Sequence, residues 1–117
     1  MEIDISVVKE GPVSIIHCAG QIETSTYLEL KKTIMEVIKS GVFNIVIDLS
    51  KADFMSSAGW SAVLGHLKEA RQGGGDIILA SLSEEAKSGY YMANFDEIIR
   101  SYDTVEKAIE AFKHSGK

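Results

Sequence analysis

A chain of 117 residues, 45% apolar and 25% charged, has the size and balance of one folded domain around a single core. Its 17 acidic and 12 basic residues leave a net charge of −5, which argues against general affinity for nucleic acid or anionic membranes and points to a protein or small-molecule partner. The lone Cys18 excludes a disulfide framework and a multi-cysteine metal site, and no apolar run nears the ~18 residues of a membrane span, so a cytoplasmic, soluble protein with a buried thiol is expected.

Ile3, Ile5 and Val7 alternate with Asp4, Ser6 and Val8 up to the turn Lys9-Glu10-Gly11-Pro12, and Val13 to Cys18 resumes the strand pattern. The chain therefore opens with a β-hairpin. From Thr26 the spacing becomes helical through Tyr27, Leu30, Ile34, Val37 and Ile38. Thr26 and Glu29 have the form of a capping box, and Ser40-Gly41 that of a helix end. Phe43 to Leu49 is a short, mostly apolar run, expected as a central strand covered on both faces. Trp60, Val63, Leu64 and Leu67 mark a second helix that stops before Gly73-Gly74-Gly75, and Ile77 to Leu82 is the next strand. Ser83 is placed to cap a weaker helix through Ala86 and Tyr90, and Ile98-Ile99 to add an edge strand. Asp103 with Glu106 is placed to cap a last amphipathic helix along Val105, Ala108, Ile109 and Phe112. Strands alternating with helices predict an α/β fold, a sheet with parallel pairs opened by a hairpin and covered by about four helices. One domain is expected over residues 1–117.

Candidate chemistry is sparse. Asp48, at the expected end of the central strand, suggests a receiver-type phosphoacceptor, but no neighbouring acidic pair offers a Mg²⁺ site and Ser81 to Ser83 offers no lysine. Ser57 and His66 on one helix would be separated by roughly 13 Å, too far for a nucleophile and its base. Met55 stands where a Gly-x-Ser-x-Gly elbow needs glycine. His17, in a strand, and His114, in the C-terminal tail, read as hydrogen-bonded or solvated side chains. The run Gly73 to Gly75 precedes a strand and lacks the Lys-Ser/Thr of a phosphate loop. No metal, cofactor or catalytic residue is expected.

What remains is the serine turn Phe54-Met55-Ser56-Ser57-Ala58-Gly59-Trp60. Its plain role is capping, because a serine hydroxyl accepts from an otherwise unpaired backbone N–H. A helix N-terminus also tolerates an anion. A phosphate on Ser56 or Ser57 would thus cost the domain little while adding about −1.5 to −2 charges to its surface.

Ile45-Val46-Ile47-Asp48-Leu49-Ser50 followed by Phe54-Met55-Ser56-Ser57-Ala58-Gly59 resembles the strand, loop and helix start of STAS domains, the family that includes the anti-sigma-factor antagonists of sporulation and stress responses. Gly20-Gln21-Ile22-Glu23 is similar to the family's Gly-Glu-Leu-Asp, and Tyr102 to Ala108 to its last helix start. The resemblance runs from Val13 to Phe112 and implies a STAS-type mixed β-sheet. It also implies partner switching without catalysis. An unphosphorylated antagonist binds an anti-sigma-factor serine kinase and frees the sigma factor, the kinase phosphorylates a loop serine, and a PP2C-type phosphatase reverses the mark. On the family's Asp-Ser-Ser-Gly, Ser56 falls at the aspartate, Ser57 at the first serine, Ala58 at the usual phosphoserine and Gly59 at the glycine. Alanine accepts no phosphate, so Ser57, then Ser56, becomes the candidate acceptor. The expected partner surface is Glu23, Ser56, Ser57, Ala58 and Gly59 with Ser61 and Gly65 on the following helix. Trp60, where the family has leucine, is read as buried. Ala58 also leaves open a phosphorylation-independent STAS adaptor of a transporter complex or signalling scaffold.

Overall fold

The computed structural model describes residues 3–114. Strand β1 (Ile3–Glu10) folds back on β2 (Val13–Ile22) as the expected antiparallel hairpin, with Val8 opposite Ile15 and Ile5 opposite Cys18. Helix α1 (Tyr27–Lys39) returns the chain to β3 (Asn44–Met55), which lies parallel to β2. Two short helices, α2 (Ser57–Leu64) and α3 (Leu67–Gln72), lead to β4 (Asp76–Ala80), and α4 (Glu84–Met92) leads through a 3₁₀ turn (Phe95–Glu97) to the two-residue β5 (Ser101–Tyr102). Helix α5 (Val105–His114) closes the fold. The sheet order is β1-β2-β3-β4-β5, with only the first pair antiparallel.

Every parallel connection steps one strand in the same direction, and the shared right hand of such crossovers puts α1 to α4 on one sheet face. There Ile16, Cys18, Ile45, Ile47, Leu49, Ile77 and Leu79 meet Leu30, Ile34, Trp60, Val63 and Tyr90 in the main core. Alternation along the strands sends Val13, Ile15, Val46, Ile78 and Ala80 to the other face, where α5 covers them with Ala108, Ile109 and Phe112. The continuous apolar runs of β3 and β4 thus reflect strands buried on both sides.

Several boundaries differ from the sequence reading. β3 does not stop at Leu49 but stays paired with β2 as far as Met55, through irregularities between His17 and Ala19 and between Gly20 and Gln21. The second helix is broken at Gly65-His66, so the five helices of the described residues form four packing units, three on one sheet face and α5 on the other. β4 ends at Ala80, because Ser81 takes a left-handed φ of 55° and turns the chain toward α4. The edge strand is Ser101–Tyr102 and not Ile98-Ile99, since Ile99 is buried in the core. Thr26 precedes α1 but forms no capping box: its hydroxyl accepts from Glu23 N–H (2.9 Å) and donates to the Gln21 carbonyl (2.6 Å). The cap of α5 comes from Thr104, which accepts from Lys107 N–H at 3.1 Å, and not from Asp103 with Glu106. His114 is the last residue of α5 rather than part of a tail. The glycine run does serve as a connection. A Cβ on Gly75 would sit 2.1 Å from the Phe43 carbonyl oxygen and one on Gly73 2.3 Å from the Phe43 ring, so only glycine lets α3 turn into β4 beneath Phe43.

Candidate functional site

β2 and β3 end together, with Gln21 opposite Phe54 and Ile22 opposite Met55. The Ser56 N–H then donates to the Ile22 carbonyl at 2.9 Å, tying the start of α2 to the end of β2. Ser56 is the N-cap of α2: its backbone is extended and its Oγ accepts from Gly59 N–H at 3.3 Å. The helical ladder begins with Trp60 N–H donating to the Ser56 carbonyl at 3.0 Å, so the amides of Ser57 and Ala58 lie ahead of it. Ser57 is the first helical residue and is exposed, whereas Ser56 and Ala58 are half-buried. No charged side chain occupies the first turn of α2, which leaves the helix dipole as the local field.

Gly59 is buried. A Cβ there would lie 2.8 Å from Ile22 Cγ2 and 3.1 Å from both the Ile22 carbonyl oxygen and Met55 Sδ, so α2 needs glycine to press on the end of β2. Trp60 points inward as expected, 4% exposed, against the rings of Tyr90 and Phe95 at centroid distances of 6.1 and 5.1 Å. Glu23 follows β2 at the same end of the sheet, in a loop held by the two Thr26 hydroxyl bonds, and is half-buried. Ser61, one turn beyond Ser57, is exposed and donates to the Ala58 carbonyl at 2.7 Å. Gly65 is exposed at the far end of α2, roughly 12 Å along the axis from Ser57. Glu23, Ser56, Ser57, Ala58 and Ser61 therefore share one end of the molecule, Gly59 forms the frame beneath them, and Gly65 stands apart. Phe54, 46% exposed beside this turn, was not among the residues expected to meet a partner. The sequence signal for it is an aromatic residue beside Asp53 at the start of the serine turn.

The remaining chemical candidates have local partners. Asp48 lies within β3, short of its end, and its Oδ2 accepts from His17 Nδ1 at 2.7 Å while Oδ1 accepts from Ser50 N–H at 3.0 Å. Among the described residues no group of three or more His, Cys, Asp or Glu side chains could hold a metal ion. His66 is buried with Nδ1 donating to the Ala62 carbonyl at 2.8 Å, and it stands between two helices rather than on one with Ser57. Cys18 is buried as expected, and burial, with the Asp48 carboxylate second, pushes its thiol up to about 12. No helix of the described residues is long and apolar enough to cross a membrane.

The STAS domain pattern matches residues 4–108, nearly the whole chain. The chain belongs to the STAS domain family. A candidate anti-sigma factor antagonist of Bordetella bronchiseptica, BtrV, is 28% identical to this STAS domain over 94 residues, covering 80% of this chain and 81% of that one. The crystal structure of a candidate anti-sigma factor antagonist from Thermotoga maritima superposes with a TM-score of 0.88 at 22% identity, covering 94% of this chain and 95% of that one. The anti-sigma factor antagonist SpoIIAA in its unphosphorylated form superposes with a TM-score of 0.81 at 19% identity, covering 97% of this chain and all of that one. At these identities the likeness to the solved structures establishes the fold, and this STAS domain shares it with anti-sigma factor antagonists.

Proposed function

We propose that this STAS domain is an anti-sigma-factor antagonist that binds an anti-sigma-factor serine kinase, releases the sigma factor, and is switched off by phosphorylation of Ser57. The observation that carries the reading is the unequal placement of the two serines. The Ser56 hydroxyl is committed to the cap, while Ser57 stands exposed on the first helical residue, open to a kinase. A phosphate there would meet the uncommitted amides and positive dipole end of α2, so the fold would tolerate it. A partner packed on Ser57, Ser61 and Phe54 would instead have to desolvate the new charge. The domain acts by docking and catalyses nothing; a PP2C-type phosphatase would restore the docking form.

Incubation with ATP and the serine kinase of the same organism, followed by mass spectrometry, tests the acceptor. Phosphate is expected on Ser57, with the Ser57→Ala variant unlabelled and Ser56→Ala still labelled. Label on Ser56 alone would reverse the order of the two serines. No label on either would favour the second reading, a phosphorylation-independent adaptor of a transporter complex or scaffold, which Ala58 at the family's usual acceptor position supports.

A further inference from the structure

Between α2 and α4 lies an open groove of about 480 Å³, lined chiefly by Met55, Trp60, Leu64, Met92 and Phe95. Three features set it apart from ordinary surface. Its rim carries Met92, 80% exposed and the most exposed large apolar side chain of the described residues, where a soluble domain gains nothing by showing a flexible thioether to water. Its floor is Trp60, whose buried Nε1–H has no acceptor and faces the backbone of Gly89, where a Cβ would lie 3.1 Å away. No polar contact of the indole therefore pins this wall of the groove to α4, and the thioethers of Met55 and Met92 can shift to fit a guest. Leu64 also lines a second, wider depression next to the groove, formed with Leu67, Lys68, Arg71 and Gln72. Arg71 is engaged there with Asp76 (2.9 Å) and the Ile98 carbonyl (2.7 Å), whereas Lys68 is exposed and enters none of the ion pairs seen among the described residues.

We propose that this groove binds a small amphipathic anion, a medium-chain fatty acid carboxylate. Its alkyl chain lies over Trp60 between Met55 and Met92, and its carboxylate stays at the solvated mouth beside Lys68. An acyl chain fits better than a rigid aromatic ligand because the lining is adaptable and offers no ordered polar group inside. An anionic head fits better than a cationic one because the charged residues of the adjoining depression, Lys68 and Arg71, are both basic. The site does not depend on phosphorylation of Ser57, although Ser57 and Ser61 edge the same groove. A bound chain would accordingly alter the surface that a docking partner meets.

Trp60 is the sole tryptophan of the chain and lies in the groove, so its emission reports occupancy directly. Titration of the full chain with octanoate and decanoate below micelle-forming concentration should shift Trp60 emission saturably, with affinity rising about fourfold per added methylene. Decylamine should bind more weakly than decanoate, and Lys68→Gln should weaken decanoate about two- to fivefold, as befits one exposed charge pair. Ala93→Leu, which adds bulk at an exposed lining position, should abolish the shift while circular dichroism and the melting temperature show an intact fold. The proposal is overturned if decanoate gives no saturable shift, if Ala93→Leu folds and responds like the wild type, or if only anionic lipid vesicles produce the change. The last outcome would mark a membrane-contact surface and not a site for the free acid.

Discussion

At the scale of single residues the two serines of the turn differ in what they hold: Ser56 caps α2, whereas Ser57 is exposed and, in the proposed switch, is the acceptor. Ser56→Ala removes the acceptor of the Gly59 N–H and should destabilise the fold by about 1 kcal/mol. Ser57→Ala touches no hydrogen bond of the cap and should stay within about 0.5 kcal/mol of wild type. Urea unfolding of the two variants measures both, and equal losses would mean that the hydroxyls share the cap. Gly59→Ala should cost more, about 1–3 kcal/mol, because its methyl would press on the Ile22 carbonyl and side chain of a strand that cannot withdraw. Cys18 supplies a pH dependence. Its thiol is raised to about 12 in the fold, so folding favours the protonated form; that stability is complete below the unfolded cysteine value of about 8.5 and is lost as pH climbs toward 12. Chemical denaturation between pH 9 and 10.5 should show a loss approaching about 1.4 kcal/mol per pH unit, reduced in Cys18→Ala. An unchanged slope in that variant would assign the loss to other groups, such as the buried Tyr90, whose hydroxyl is also raised by burial.

At the scale of elements, most of the architecture was legible because helix and strand periods differ. The hairpin, α1, the Asn44 to Leu49 half of β3, the core of β4 and α5 follow from residues whose spacing is repeated. The second half of β3 was hidden because two irregularities break the alternation, so that exposed Ser50-Lys51 and Asp53-Phe54 flank the buried Ala52. The gap between α2 and α3 was hidden for the opposite reason. Leu64 and Leu67 keep helical spacing across the Gly65-His66 turn, and periodicity carries no mark of the break. Caps were the least readable features, since a hydroxyl chooses among neighbours that only the folded chain brings near. Thr26 turns to Gln21 and Glu23, and Ser83, read correctly as the cap of α4, also donates to the Ala52 carbonyl at 2.7 Å. That second bond joins α4 to the irregular half of β3. Ser83→Ala should therefore lose roughly 1–2 kcal/mol, more than an isolated cap, in the same urea experiment.

At the scale of the whole molecule, the one-way succession of β2 to β5 places the four helices α1 to α4 on one face and delivers the ends of β2 and β3, with the turn between β3 and α2, to one end of the sheet. The candidate site is the product of that arrangement. The sequence could name Ser56 and Ser57 as a serine turn before a helix, and Glu23 through the resemblance to STAS domains. It could not tell which serine is committed to the cap, that Gly59 is frame rather than surface, or that Phe54 is exposed, because each depends on how α2 settles on Ile22.

The most direct test of the proposed docking switch is the affinity of the proposed kinase partner for three forms of the domain, measured by calorimetry: wild type, Ser57→Ala and Ser57→Asp. Ser57→Ala is expected to bind within about twofold of wild type and Ser57→Asp at least ~10-fold more weakly, about 1.4 kcal/mol for a charge left in the interface. Equal binding of all three forms, with the fold intact, would contradict it.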